Sequence, residues 1–429
     1  MEIEKIKNII VGQKEDLADF FKRKKIVERE VELGQFKKFL AHPNVLVITG
    51  PRRAGKSVLA VTLFSGKNYG YLNFDDERLA GFESDDFNAV LEAFYDLNGA
   101  DVEYLIFDEI QNIPNWELFI NRLRRTKKII ITGSNANLLS GELATHLTGR
   151  HLEAVLYPFS FREYLKVRKM EIAKEDFYST KKISQIKKQL QKYLADGGFP
   201  ETFLFGPAMV SKIYDDVITK DILLHYGVKN KKAFRELANY IVSNFGKDLN
   251  YRKLGTVFAI KNVHTVKNYV EYLRTSFLIF VLEKFSYKLK QQYITSKKVY
   301  GVDTGLVNSV AFQVSENSGR LMENAVMIDL MRRKNYFKEF TEVYYWRDYT
   351  GKEVDFVLKR GTKIVELIQV CQNLTNIETK EREIRSLFLA SEELNCNTLI
   401  IITADEDKVE KIEGKKIQFI PLWKWLLQK

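Results

Sequence analysis

Short apolar runs recur through the first third of the chain, each closing on glycine or on polar and acidic residues. They are Val45 to Thr49, Tyr69 to Phe74, Tyr104 to Phe107 and Lys128 to Thr132. Runs of this length predict buried strands, and the helix-compatible stretches between them predict a parallel sheet. Ahead of them, Ile3, Ile6, Ile10 and Leu17 recur at helical spacing. A charged break follows at Lys22 to Lys25, then a second amphipathic stretch from Leu33 to Leu40. The middle of the chain reads as helices: a basic amphipathic one over Lys181 to Leu194, then Ala208 to His225, a segment from Phe234 to Phe245, a short one at Tyr251 to Phe258, and His264 to Thr275. In the last of these Val266, Tyr269, Val270 and Leu273 share the apolar face. The apolar FLIFVL and the FSYKLK after it predict two strands.

A length of 429 residues exceeds one ordinary core and predicts about three domains. The net charge of +11 points to an anionic partner, nucleic acid or nucleotide, without marking a site. Only Cys371 and Cys396 occur, and no His or Cys pair has zinc-finger spacing, so neither a disulfide framework nor a structural zinc is supported. The N-terminus lacks the order of a secretory signal. The longest apolar run, Phe277 to Leu282, is far too short for a membrane span. A soluble, cytoplasmic protein with no membrane partner is expected.

The sharpest chemical signal is VLVITGPRRAGKSVL, Val45 to Leu59, with Gly50, Gly55, Lys56 and Ser57 in the order G-x-x-x-x-G-K-S. Between a strand and a helix this is a phosphate-binding loop, spanning Gly50, Pro51, Arg52, Arg53, Ala54, Gly55, Lys56 and Ser57. Its glycines let consecutive N–H groups face a polyphosphate, and the following helix adds the positive end of its dipole. Lys56 is expected to neutralise the β- and γ-phosphates of ATP and Ser57 to complete a Mg²⁺ shell. The strand Tyr104 to Phe107 ends in Asp108 and Glu109. Two acids there supply the other half of such a site: Asp108 for the metal's water shell, Glu109 to orient or deprotonate the attacking water.

The strand Lys128 to Thr132 runs into GSNANLL, bringing Ser134 and Asn135 to the same edge, either as γ-phosphate sensors or as caps of the next helix. Arg150, behind Gly149, is either an arginine finger, in cis or from a neighbouring subunit, or an ordinary ion-pairing residue. Action in trans would require a homo-oligomer.

The segments GPRRAGKS, YLNFDDERL, FDEIQNIPNWE, ITGSNANLLS, LTGR, YPFSFREYL and GGFPE resemble, in this order, the AAA-type ATPases of archaea and bacteria fused to a C-terminal domain of unknown function. The resemblance covers nearly the whole chain. It implies an α/β fold: an AAA+ parallel-sheet P-loop ATPase core, a helical winged-helix middle and a mixed α/β restriction-endonuclease-like C-terminal domain. The corresponding division is 1–43 as an N-terminal helical segment, 44–165 as the ATPase core, 166–314 as the helical region with the winged helix, and 315–429 as the C-terminal domain. ATP is expected over GTP, by the resemblance and because no N-K-x-D guanine-reading sequence occurs.

In a helix-turn-helix the polar residues of the second helix face outward, here Asn262, Thr265, Lys267, Asn268 and Arg274. They are candidate DNA contacts, against the alternative of a protein-packing lid. From about Ser315 the order is helix (Gly319 to Arg333), strands (Glu342 to Trp346, Glu353 to Leu358, Lys363 to Cys371), helix (Glu378 to Leu394) and strand (Thr398 to Thr403). This is the core order of restriction-endonuclease-like folds. Glu323 matches the helix acid of an active member, Asp355 the strand acid, and Gln369 the first position of the E/Q-x-K pair. The lysine position holds Cys371, which supplies no positive charge; Lys380, Arg382 or Arg385 on the next helix are alternative sources. A degenerate fold that binds nucleic acid or another domain is therefore favoured over an active, ATP-regulated nuclease, and a structural acid pair is the third reading. Trp346, Trp423 and Trp425 read as core or docking aromatics.

Two functions compete. In one, ATP binding and hydrolysis drive DNA binding or remodelling. In the other, nucleotide state switches association with protein partners. DNA stimulation of turnover, weakened by salt, separates them.

Overall fold

The computed structural model describes residues 1–23, 26–31, 33–139, 147–310 and 318–428. Lys24 and Lys25 of the basic run and the expected boundary at Ser315 lie outside the described residues. The sequence predicts four segments, whereas the chain gathers into two compact units. One comprises Met1–Tyr157 with Thr275–Phe277, the other Pro158–Arg274 with Leu278–Lys429.

The first unit is built on five strands: β1 (Val45–Thr49), β2 (Tyr69–Asn73), β3 (Tyr104–Asp108), β4 (Lys128–Gly133) and β5 (His151–Val155). They form one sheet in the order β2-β3-β4-β1-β5, every neighbouring pair parallel. All residues of β1 are buried, which is why the strand reads as a continuous apolar run. Helices α1 (Ile3–Arg23), α2 (Leu33–Leu40), α3 (Lys56–Leu63), α4 (Phe87–Asn98) and α5 (Trp116–Leu123) complete the unit. The N-terminal helix is no separate segment: Ile6, Ile9 and Ile10 enter the same core as Phe74, Phe87, Phe94, Phe107 and Phe119. Burying each such side chain contributes about 1.5–3 kcal/mol, enough to fix α1 to the sheet. Gln13 completes the attachment: its Nε2 donates to Asn73 O (3.0 Å) and Asp76 (2.8 Å), and its Oε1 accepts from Asn73 N.

In the second unit a three-stranded antiparallel sheet, β6 (Lys247–Leu249), β7 (Ile279–Leu282) and β8 (Lys297–Gly301), runs in the order β6-β8-β7. It accompanies the helices Lys231–Ser243, Tyr251–Val257 and Val263–Thr275. The expected strand at FSYKLK is not one. The Phe285 N–H leaves to bond Tyr345 O (2.7 Å), Leu289–Ile294 is a short helix, and β8 instead returns along β7.

The C-terminal sheet comprises β9 (Glu342–Arg347), β10 (Glu353–Arg360), β11 (Lys363–Val370), β12 (Leu399–Thr403), β13 (Lys408–Ile412) and β14 (Lys415–Pro421), ordered β13-β14-β12-β11-β10-β9. The pairs β9–β10, β10–β11 and β13–β14 are antiparallel, while β11–β12 and β12–β14 are parallel. The helices Ser318–Arg332 and Ile377–Leu394 occupy the expected places in the chain order. The hairpin β13–β14 is additional; its polar alternation, KVEKI, carries little apolar signal. Trp346, Trp423 and Trp425 are buried, the last two on the helix Leu422–Leu427.

The GGFPE turn is dictated by close approach. A Cβ on Gly198 would meet Phe159 O at 2.2 Å, and one on Gly197, at φ 78°, would meet Asp303 Oδ1 at 2.0 Å. Asp303 is buried and accepts from Gly198 N (2.7 Å) and Leu306 N (3.0 Å).

Candidate functional site

The loop from Gly50 to Gly55 joins the carboxyl end of β1 to the first turn of α3, the position in a parallel sheet where crevices form. Its backbone takes positive-φ conformations that most side chains disfavour. Gly50 sits at φ 142°, where a Cβ would meet Leu156 O at 2.1 Å; Gly55 lies at φ 96° and Arg53 at φ 65°. Pro51 and Ala54 are buried, and the Arg29 guanidinium pins the loop by donating to Ala54 O (2.9 Å) and Tyr157 O. Lys56 is buried and folds back over the loop, its Nζ donating to Gly50 O (3.2 Å) and Pro51 O (3.1 Å). Arg52 pairs with Asp75 at 2.8 Å.

The two carboxylates at the end of β3 sit in different environments, and Glu109 pairs with this lysine. Asp108 is buried; Ser57, Thr132 and Tyr71 all donate to it, Tyr71 Oη at 2.7 Å. Burial and the neighbouring Glu109 nevertheless push its carboxyl above the usual range. Glu109 takes a left-handed backbone, φ 50°, which turns its side chain back into the site. Its Oε1 lies 3.4 Å from Lys56 Nζ, while Oε2 accepts from Gln111 Nε2 (2.6 Å) and the Ser134 N–H (3.1 Å). Burial works against its charge, but Lys56, Gln111, Arg52 and Ser134 together hold it below the ordinary glutamate value. Ser134 and Asn135 are both buried at the end of β4. Lys56, Ser57, Asp108, Glu109 and Ser134 thus converge at one sheet edge, with oxygen donors of the kind that hold a hard cation through its water shell.

Residues 42–165 match the family described as an AAA domain; 187–317 and 318–425 match two domains of unknown function, DUF8612 and DUF4143. An uncharacterized protein of Methanocaldococcus jannaschii is 33% identical over 432 residues, covering 96% of this chain and 93% of its own length. The chain belongs to that protein's family. Residues 42–165 carry an AAA-type ATPase domain. An uncharacterized protein of Haemophilus influenzae is 28% identical over 424 residues, spanning 94% of this chain and all of its own. A Walker-type ATPase of Pyrococcus abyssi superposes with a TM-score of 0.41 and 14% identity over 66% of this chain and 96% of its own, too loosely to add to the assignment.

Within the AAA domain Arg150 does not join the site. The parallel register pairs Val45 with His151 and Thr49 with Val155, so Arg150 precedes β5 at the amino end of the sheet. The P-loop leaves from the other end, roughly 16 Å away at about 3.3 Å per residue. Arg150 is exposed, and a role in cis is ruled out by that register.

On the helix Val263–Thr275, Val266, Tyr269, Val270 and Leu273 are buried, while Asn262, Lys267, Asn268 and Arg274 are exposed and Thr265 is half-buried. Asn262 Oδ1 accepts the His264 N–H (2.8 Å) at the helix start, and Arg274 is held by Glu271. Lys267 lies over the Tyr251 ring.

Glu323, Asp355 and Gln369 also converge. Gln369 accepts the Asp355 N–H (3.2 Å) and donates to Glu383 (2.6 Å). The positive charge comes from none of the cations expected on the helix Ile377–Leu394. Lys380 pairs with Glu410, Arg382 with Glu383, and Arg385 is exposed. It comes from Lys298 on β8, buried to 3% exposure, whose Nζ lies 2.6 Å from Glu353, 3.1 Å from Glu323 and 3.2 Å from Asp355. Tyr300 donates to Glu323 at 2.6 Å. Burial and Glu323 push the Asp355 carboxyl up to about 8, with Lys298 opposing.

Gln111, Tyr71 and Thr132 around the AAA acids escape a motif-based reading. Each nevertheless stands in a segment that carries the family resemblance: Tyr71 in YLNFDDERL, Gln111 in FDEIQNIPNWE and Thr132 in ITGSNANLLS.

Proposed function

We propose that this protein binds and hydrolyses ATP with Mg²⁺ at the P-loop and couples nucleotide state to DNA binding or remodelling. The observation that carries the first half is the convergence of Lys56, Ser57, Asp108 and Glu109 at the carboxyl ends of β1 and β3. Backbone N–H groups from Gly50 to Ser57 would cradle the phosphates, and Lys56 would exchange its present acceptors for phosphate oxygens. Ser57 and Asp108 would hold Mg²⁺, which when bound neutralises charge on the transferred phosphoryl group. Glu109, kept ionised by its donors, would take the proton of the attacking water. Ser134 and Asn135 would sense the γ-phosphate, Ser134 through the N–H it already gives to Glu109. Arg150 would act on a neighbouring subunit of a homo-oligomer.

For DNA, the support is the charge of +11 and the exposed Lys267, Asn268 and Arg274 on the second helix of a winged-helix-like arrangement. The C-terminal sheet, read as restriction-endonuclease-like by its chain order, would add a second grip. A second reading, a nucleotide-controlled switch for protein partners, is favoured by the three donors that hold Glu109, an arrangement suited to slow turnover until a partner releases it.

ATP turnover with and without duplex and single-stranded DNA, at low and moderate salt, separates the two. Stimulation that salt weakens and Lys56→Ala abolishes supports the DNA reading. Slow turnover indifferent to DNA supports the switch.

A further inference from the structure

Buried lysines are rare because an isolated ammonium is costly to desolvate, so Lys298 has to be explained by what surrounds it. Its three N–H donors meet three carboxylates: Glu353 on β10 at 2.6 Å, Glu323 on the helix Ser318–Arg332 at 3.1 Å, and Asp355 on β10 at 3.2 Å. The Tyr345 ring faces the remaining side, 5.9 Å from Nζ. The acids are nearly saturated in turn. Glu353 gives its second oxygen to Arg347, Asp355 Oδ2 accepts the Val370 N–H (3.0 Å), and Glu323 Oε1 also accepts from Tyr300. Of the six carboxylate oxygens, only Glu323 Oε2 is left without a hydrogen bond or ion pair among the described residues.

We propose that the Lys298 ammonium is the resident cation of this centre: it fills the position between Glu323 and Asp355 that a divalent metal would need, and the centre takes up no metal while the lysine is in place. The contacts of 2.6–3.2 Å are those of an ammonium; a Mg²⁺ ion, whose oxygen ligands stand at about 2.0–2.1 Å, would need the lysine withdrawn and the acids drawn inward. Among the described residues no three His, Cys, Asp or Glu side chains are arranged to hold a metal ion. The lysine is also anchored at its root. It belongs to β8, paired on one side with Asp248 of β6 and on the other with Leu282 of β7, so the ammonium ties the three-stranded sheet to the C-terminal one.

The functional meaning of this centre rests on the restriction-endonuclease-like reading of the C-terminal sheet. Phosphodiester cleavage in such a fold needs a metal to activate water. A tethered ammonium supplies charge but no activated water, so this domain binds without cutting.

The test is Mn²⁺ binding to the full-length protein without nucleotide, followed by the EPR signal of free Mn²⁺, and it does not pass through ATP turnover. Wild type and Asp355→Asn are expected to bind Mn²⁺ equally. With the ammonium gone, Glu323, Glu353 and Asp355 are free to close on a cation, so Lys298→Ala is expected to gain about one Mn²⁺ per chain, lost again in Lys298→Ala/Asp355→Asn. A wild-type Mn²⁺ that Asp355→Asn removes would overturn the proposal while strengthening the nuclease-like reading. A folded Lys298→Ala that gains no Mn²⁺ would also overturn it. Where Lys298→Ala does not fold, the comparison of wild type with Asp355→Asn decides alone.

Discussion

Lys56 Nζ lies 3.4 Å from Glu109 Oε1, so the residue placed to bind phosphate and the residue placed to activate water share one ion pair. ATP phosphates compete with Glu109 for the same ammonium. Binding therefore removes one of the partners that restrain the carboxylate, leaving Gln111 and the Ser134 N–H. Removing Gln111 as well should loosen Glu109 further. Gln111→Ala is expected to raise turnover by about tenfold or more, one charge-assisted hydrogen bond being worth about 1.5–3 kcal/mol, with the Kd for ATP unchanged. Equal turnover in the variant and wild type would show that Gln111 does not restrain Glu109.

The environments of the two acids push them apart, Asp108 upward and Glu109 downward. The acidic limb of turnover should accordingly report Asp108, which must lose its proton to hold Mg²⁺. Tyr71 donates to Asp108 and favours its charged form. Tyr71→Phe therefore raises this carboxyl further and is expected to move the acidic limb to higher pH at fixed Mg²⁺. Gln111→Ala, acting on the other acid, should leave the limb in place. A pH–rate profile of each variant checks both statements.

How much of this was legible in the chain differs residue by residue. The P-loop and the acids after β3 are local patterns, each confined to one strand end, and the strands themselves are continuous apolar runs. Val266, Tyr269, Val270 and Leu273 were readable for the same reason, since one helix's period sorts buried from exposed. Arg150 was not placeable, because its distance from the loop depends on the pairing of β5 with β1. Lys298 lies 57 residues before Asp355, in a different sheet, and no spacing rule reaches across that gap. The missed edge hairpin β13–β14 reflects a polar alternation that periodicity does not single out.

Asp303 makes a pH-dependent contribution to the second unit. Burial pushes its carboxyl up to about 6 against the unfolded value of 3.8. Between those values the native state holds the proton more tightly than the unfolded chain, so stability falls as pH rises through the window, by up to about 3 kcal/mol. Thermal melts across pH 4–7 should show this slope in wild type, and Asp303→Asn should lack that part of it.

Gly198 has no room for a side chain, its Cβ position lying 2.2 Å from Phe159 O. Gly198→Ala is expected to destabilise the second unit by about 3 kcal/mol, read as a lower denaturation midpoint, with Ser57 and the P-loop chemistry intact.

If the helix Val263–Thr275 contacts DNA, Lys267 does so through phosphate. Lys267→Ala should weaken binding similarly for all sequences and reduce the salt slope by about one. An unchanged slope would remove Lys267 from the contact.

The central claim is that Lys56 and Glu109 form one ATP-hydrolysing site, and single-turnover ATP binding and hydrolysis by wild type, Lys56→Ala and Glu109→Gln tests it most directly. The expected result is loss of binding in Lys56→Ala and, in Glu109→Gln, retained binding with hydrolysis slowed by about 10²-fold or more. Hydrolysis in Glu109→Gln at the wild-type rate, or intact turnover in Lys56→Ala, would contradict it.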